Sequence, residues 1–413
     1  MPNLELFSGL EPLATGILPS QTIRSYVFGE NRRIVSPLPI DESQIQPASV
    51  DLRLGNEAFQ VKASFLPGHA TIQKKLDDLL IRKIRLDDSA VFEPRAVFIV
   101  PLIESLRLPS DVSGKANPKS TTGRLDIFTR LITEIATEFE SVPKGYSGPL
   151  YLEVVSRTFP IRVRTGMKLS QLRFIRGNPP TSDGRLVKLA EKVTLAYDEY
   201  ESPVDPRIER GLSVSVDLQG DGSGIVGYKA KRPVPSVHSD RIIDLDKVDW
   251  YDVKEFWDVV PASTTKSHTL EPGDFYILAS RERISVPSNY AAEMVPFDPS
   301  FGEFRVHYAG FFDPGFGFGI EGKISGTKAV LEVRAHELPI LLEDGQLVGK
   351  LIYHKMAQTP DKVYGRSIGS SYQQQGLALS KQFKRGTSCD SSGPSSCASF
   401  DDALLVPPQL VQS

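Results

Sequence analysis

Short blocks of this chain recur in register at a nearly constant distance, so any fold it adopts must accommodate two copies of one unit. VFIVPLIESLRLPSDVSG at 97–114 returns as DFYILASRERISVPSNYA at 274–291, with Pro109 and Pro287 178 positions apart. PLYLEVVSR at 149–157 returns as KAVLEVRAH at 328–336, and RTGMKLSQLRF at 164–174 as EDGQLVGKLIY at 343–353. Glu153 to Glu332 and Gly166 to Gly345 both span 179. A fourth block, Ser-Val-Asp-Leu at 49–52, repeats at 215–218, but Asp51 and Asp217 are only 166 apart. Matches held in one register mark a repeated domain. The shorter offset leaves about a dozen extra residues in the second copy, near DLDKVDWYDVKEFWDVV, where the apolar spacing predicts a helix.

Within each copy the apolar segments are short, rich in Val, Ile and Phe, and broken every ten residues or so by Gly, Pro, Asp or Asn. Such a rhythm predicts a mainly β chain, antiparallel and closed into barrels or jelly rolls, rather than βαβ units. A few helices, near 70–82 and 244–258, decorate the sheets. With 413 residues the chain can hold about two ordinary cores. We divide it into a first repeat at 1–177, a linker at 178–210 punctuated by Pro at both ends, a second repeat at 211–386, and a tail at 387–413. The tail's Ser, Pro and Gly content predicts disorder, and it carries both cysteines, Cys389 and Cys397.

Charge and motif content narrow the chemistry. A formal charge of -3 gives no basic footprint for a nucleic acid polymer. The N-terminus lacks a signal pattern and no segment is apolar enough to span a membrane, so a cytoplasmic location is expected. There is no P-loop, no dinucleotide fingerprint in a βαβ setting and no Gly-x-Ser-x-Gly elbow. The six histidines are scattered and AHELP at 335–339 lacks a second histidine, so no metal-ligand set is predicted and zinc is not expected.

Two features remain. Glu153 and Glu332 each sit mid-strand among apolar neighbours, where alternation puts Tyr151, Glu153 and Val155 on one face and Val330, Glu332 and Arg334 on its counterpart. Pattern alone fits either a solvent-facing carboxylate or one in a dry pocket whose raised pKa suits proton transfer near neutral pH. The second is NPKSTTGRLD at 117–126, which gathers Lys119, Ser120, Thr121 and Arg124 around a glycine. Cations, hydroxyls and free backbone amides in one loop suit a phosphate chain, although a solvated polar turn has the same composition. The second copy has PFDPSFGEFRV in the corresponding place, so only the first keeps this loop.

Taken in order, SVDLRLGN, the Lys-Ser-Thr-x-x-Arg loop, FDPGFG at 312–317, Val-Leu-Glu-Val, Gly-Gln-Leu-x-Gly and SYQQQG at 371–376 resemble the dCTP deaminases of the dUTPase superfamily. The chain is most similar to their fused, double-length bacterial form, over about residues 15–386. The resemblance implies two tandem distorted jelly-roll barrels. It implies hydrolysis of dCTP to dUTP and ammonia, within the synthesis of dUMP and dTTP, at sites between neighbouring barrels and without zinc. By the same resemblance Glu332 activates water, with Glu153 its counterpart in the first copy. Ser120 and Arg124 join the catalytic centre, and Lys119 and Thr121 bind the triphosphate. Ala309 offers backbone to the base, Asp313 lies in the turn beside it, and Tyr364 and Gln374 close over the nucleotide. The family's arginine near that turn is replaced by about Phe311, and Lys119 stands where the family has arginine, losing bidentate geometry.

One composite site is expected, its loop from the first copy and its glutamate from the second, with Glu153 a relic. Magnesium would arrive with the triphosphate. The resemblance further implies a homo-oligomer and dTTP as a feedback inhibitor. Two rivals are carried forward: a dUTPase or bifunctional deaminase and diphosphatase, with Asp313 activating the water, and a silent nucleotide-binding regulator.

Overall fold

The computed structural model describes residues 14–220, 222–232, 241–295, 304–307, 310–319, 321–335, 337–365 and 376–385. Two β-barrels account for most of them, and they share one strand order. In the first, a sheet runs Val50–Arg53, Lys168–Arg176, Val112–Pro118, Ser141–Val142. It faces a second running Leu80–Arg85, Glu57–Val61, Val97–Arg107, Ser147–Ser156, Ile127–Thr133. In the second barrel the order is Leu212–Ser215, Leu347–Lys355, Tyr290–Val295, Phe311–Phe312. The facing sheet there is Trp257–Pro261, Ile225–Ala230, Phe275–Ile284, Thr327–Ala335, Phe304–His307. These barrel ladders are antiparallel throughout, so each strand buries alternate side chains. Leu150, Leu152 and Val154 fill the first core, and Leu331 and Val333 fill the second.

The expected helix near 70–82 is present as Ile72–Leu79, capped by the Thr71 side chain. The helix expected over 244–258 is not. Only Val253–Phe256 turns helically, Ile243–Asp244 pairs in parallel with Ile161–Val163 of the first barrel, and Asp249 has φ +54°. The apolar residues of this segment do not share one helix face. Leu245, Phe256 and Trp257 are buried in the first barrel's core cluster, whereas Val248 and Trp250 are exposed. Residues 183–197 carry the helix Asp183–Ala190 and the strand Ala196–Tyr197, which pairs with Phe275–Ile284 as Ile34–Val35 pairs with Val97–Arg107. Leu186, Leu189 and Leu195 are buried in the second core.

Candidate active site

A cavity of about 480 Å³ opens where the barrels meet. The first barrel contributes Asp51, Lys119, Ser120, Thr121, Lys168 and Gln171, and the second contributes Phe311, Asp313 and Tyr364. Pro118 ends its strand and Ser120–Gly123 makes a single helical turn, which presents the Ser120 and Thr121 hydroxyls to the opening. The loop is less open than its sequence suggested. The Lys119 amide is bonded to the Leu169 carbonyl, and the amides of Thr122 and Gly123 both reach the Lys119 carbonyl. Nor is the Lys119 ammonium free, since it donates to Asp51 Oδ2 at 2.5 Å. The repeated Ser-Val-Asp-Leu block thus has a physical role in both copies, to bury an aspartate against a lysine. Asp217 takes Lys328 from another element, and although burial pushes its carboxyl up, Lys328 and the Gly220 and Gln219 amides hold it below the ordinary range.

Glu332 lies within the field of Arg124 across the barrel interface. Arg124 closes the turn that carries Ser120 and Thr121, is buried, and donates to the Ala378 carbonyl at 3.1 Å. Burial pushes the Glu332 carboxyl up to about 8, against the pull of the nearby Arg124 guanidinium. Two residues along the same strand face, Arg334 donates to the buried Asp126 carboxylate and, at 3.2 Å, to Thr158. Asp126, two positions after Arg124, has φ +57°. This cross-barrel ion pair fixes how the Glu332 strand sits on the turn, and the interface around it is apolar, with Phe275 and Ile277 packed into the first barrel's core. Neither Glu332 nor Arg124 is among the residues facing the cavity as it stands, although the neighbours of Arg124 are.

The Asp313-Pro314-Gly315 turn holds the opposite wall. Gly315 has φ +94°, and a Cβ there would lie 3.0 Å from the Val363 side chain and 3.1 Å from the Tyr364 amide. Only glycine lets Tyr364 pack this closely, its amide on the Pro314 carbonyl at 2.7 Å and its ring 5.4 Å from that of Phe316. Where the sequence has Phe311 in place of an arginine, a guanidinium is present after all, supplied by the first barrel. Arg173 stacks 3.9 Å over the Phe311 ring, pairs with Asp313 Oδ1 at 3.3 Å and donates to the Ala292 carbonyl at 3.2 Å. Burial pushes Asp313 up and Arg173 down, each opposed by the other's charge. Arg173 carries little local signal in the sequence. The signal was a strand arginine whose counterpart, 179 positions on, is Ile352.

Glu153 is fully buried, so neither copy of the glutamate faces solvent. Its cross-strand neighbour is Arg130, which donates to it through Nε at 2.8 Å, whereas the register opposite Glu332 carries His307. Phe139 stacks 3.6 Å from the Arg130 guanidinium, and Ser64 accepts from it. The first barrel covers this face with its own segment of Phe65, Ile72 and Leu76, while the same face of the second barrel is covered by the first.

Ala309 and Gln374 lie outside the described residues. Among those described, no group of three or more His, Cys, Asp or Glu could hold a metal ion, and no helix is long and apolar enough to cross a membrane. The carboxylates at the cavity are each engaged by a cation: Asp51 by Lys119, Asp246 by Arg164, and Asp313 by Arg173.

Comparison with known proteins identifies the family of both halves of the chain. Residues 14–178 match the model of the 2'-deoxycytidine 5'-triphosphate deaminase (DCD) N-terminal domain, and residues 182–383 match that of the C-terminal domain. The chain is 48% identical to a crystal structure of 2'-deoxycytidine 5'-triphosphate deaminase from Agrobacterium tumefaciens, covering 83% of this chain and 99% of that one with a TM-score of 0.76. It is 35% identical over 146 residues to a dCTP deaminase, dUMP-forming, of Parafrankia sp., covering 34% of this chain and 68% of that one. A protein of the same description from Dictyoglomus turgidum is 26% identical over 206 residues, 49% of this chain and 99% of that one.

Proposed function

Because the chain belongs to the 2'-deoxycytidine 5'-triphosphate deaminase family, we propose that its two barrels build one composite site that hydrolyses dCTP to dUTP and ammonia. The observation that carries this reading is Glu332, a carboxyl buried on a strand that Arg334 ties to the Arg124 turn of the other barrel, within the field of Arg124 and pushed up to about 8. A carboxyl with that affinity for protons can both take one from water and return one to a leaving amine. Water held by Glu332 and Ser120 attacks C4 of the cytosine. Arg124 stabilises the charge that develops, and Glu332 passes the proton to the departing nitrogen. Ser120, Thr121 and Lys119 face the triphosphate, Asp313 and the backbone near Ala309 face the base, and Tyr364 and Gln374 close over the nucleotide.

Magnesium enters as part of the substrate, because the carboxylates at the cavity are spent on cations. The shared strand order of the barrels supports an origin by duplication, after which each copy kept one half of the site. A cytoplasmic homo-oligomer inhibited by dTTP completes the proposal.

A second reading rests on the relatives named dUMP-forming, since a chain that turned dCTP into dUMP would also release the diphosphate. Here Asp313 would have to activate the second water, but its carboxylate is held by Arg173. Product analysis separates the two. Ammonia in step with dUTP, and no pyrophosphate from dCTP or dUTP, is expected; pyrophosphate from either nucleotide would establish the bifunctional enzyme, and neither product a silent binder.

A further inference from the structure

The residues that cross from the second barrel back onto the first, 376–385, are pinned along both edges. Ser380 Oγ donates to the Thr121 carbonyl at 2.8 Å, and the Asp249 and Trp250 amides donate to the carbonyls of Lys381 and Gln382. Gln382 Nε2 reaches the Leu245 carbonyl at 3.0 Å, and Phe383 is buried among Tyr251, Phe256 and Trp257. The extra segment of the second copy therefore has an observable role, which is to dock this strap beside the Ser120 turn. Between its pinned neighbours, Lys381 points into the cavity.

The Lys381 ammonium makes no hydrogen bond or ion pair with any described residue. The acids nearest to it, Asp246 and Asp51, already pair with Arg164 and Lys119. Lys168 lines the same cavity, with only a 3.4 Å contact to Ser43 Oγ. Because Arg164 is shared between Asp244 and Asp246, the four cations Lys119, Arg164, Lys168 and Lys381 meet three carboxylates and one ammonium group is in surplus, and burial with the neighbouring Lys119 charge pushes the Lys381 pKa down. An uncompensated, half-buried cation is costly unless an anion completes it.

We propose that Lys381, held in place by the 243–252 segment, is a binding residue for the polyphosphate of the nucleotide, with Lys168 beside it. The assignment rests on the deaminase reading for the identity of the nucleotide, but not for the polyphosphate itself.

The test is calorimetric titration of the full chain with inorganic tripolyphosphate, dCTP and dCMP, for wild type, Lys381→Met and Lys381→Arg. Methionine should weaken tripolyphosphate and dCTP by roughly tenfold and dCMP by less than about twofold, and arginine should restore most of the loss. Trp250 and Trp257 are the chain's two tryptophans and both lie at the dock, so their emission reports whether the strap stays seated. Should methionine loosen it, arginine decides, since with the strap seated it must bind tripolyphosphate within about threefold of wild type. Unchanged tripolyphosphate affinity in Lys381→Met, or equal weakening of dCMP and dCTP, overturns the proposal. Tripolyphosphate binding that depends on Lys381 without any deamination would instead overturn the deaminase reading and leave the lysine's role standing.

Discussion

Glu153 and Glu332 occupy equivalent strand positions, and what separates them is the company each keeps. Arg130 neutralises Glu153 inside its own barrel, whereas Glu332 pairs with no cation among the described residues and feels the field of Arg124 from across the interface. Glu332→Gln should lower kcat by about a hundredfold or more. Glu153→Gln should leave kcat within about threefold and cost about 1–3 kcal/mol of stability, because it strands Arg130. Urea unfolding and steady-state kinetics on both variants check this.

The raised pKa of Glu332 has a defined sign in both activity and stability. As the base it works ionised, so kcat/KM should climb with pH to a midpoint near 8 rather than near the usual 4.5. Its neutral form suits the folded state, so the stability it contributes is complete below about 4.5 and is lost as pH rises through 8. Glu332→Gln should therefore melt higher than wild type by at least about 2 °C at pH 8, with a smaller gain at pH 5. A gain that shrinks with rising pH would contradict the assignment.

Among the elements, the strand Lys168–Arg176 and the turn at 313–315 depend on each other through Arg173. Arg173→Met leaves Asp313 buried without its cation and removes the stack on Phe311. We expect a loss of about 3 kcal/mol and a KM for dCTP raised at least about tenfold. Equal KM in variant and wild type would show that this guanidinium only fills space. The strands and Glu332 were legible in the sequence through alternation and the constant offset, and Ser120 and Arg124 through the composition of their loop, cations and hydroxyls around a glycine. The segment at 244–258 was misread because its apolar residues face another barrel rather than one helix face. Arg173 and Lys381 were hidden because each matters only through a partner more than 100 positions away. The loop at 119–124 looked freer than it is, since neither the Asp51 ion pair nor the Leu169 carbonyl is adjacent in sequence.

For the whole molecule, two barrels of one strand order are held face to face by Arg334 with Asp126, Arg173 with Asp313, and Lys115 with Glu293. All three pairs join the first repeat to the second within one chain, and so does the approach of Arg124 to Glu332. The account stands on that approach serving one reaction centre. The measurement that tests it most directly is kcat/KM for Arg124→Ala, Glu332→Gln and the double variant. Each single change should cost about a hundredfold or more, and the double variant should be little worse than the poorer single. A double variant down by the product of the two losses, roughly ten-thousandfold, would mean that Arg124 and Glu332 serve different sites and that the barrels do not share one.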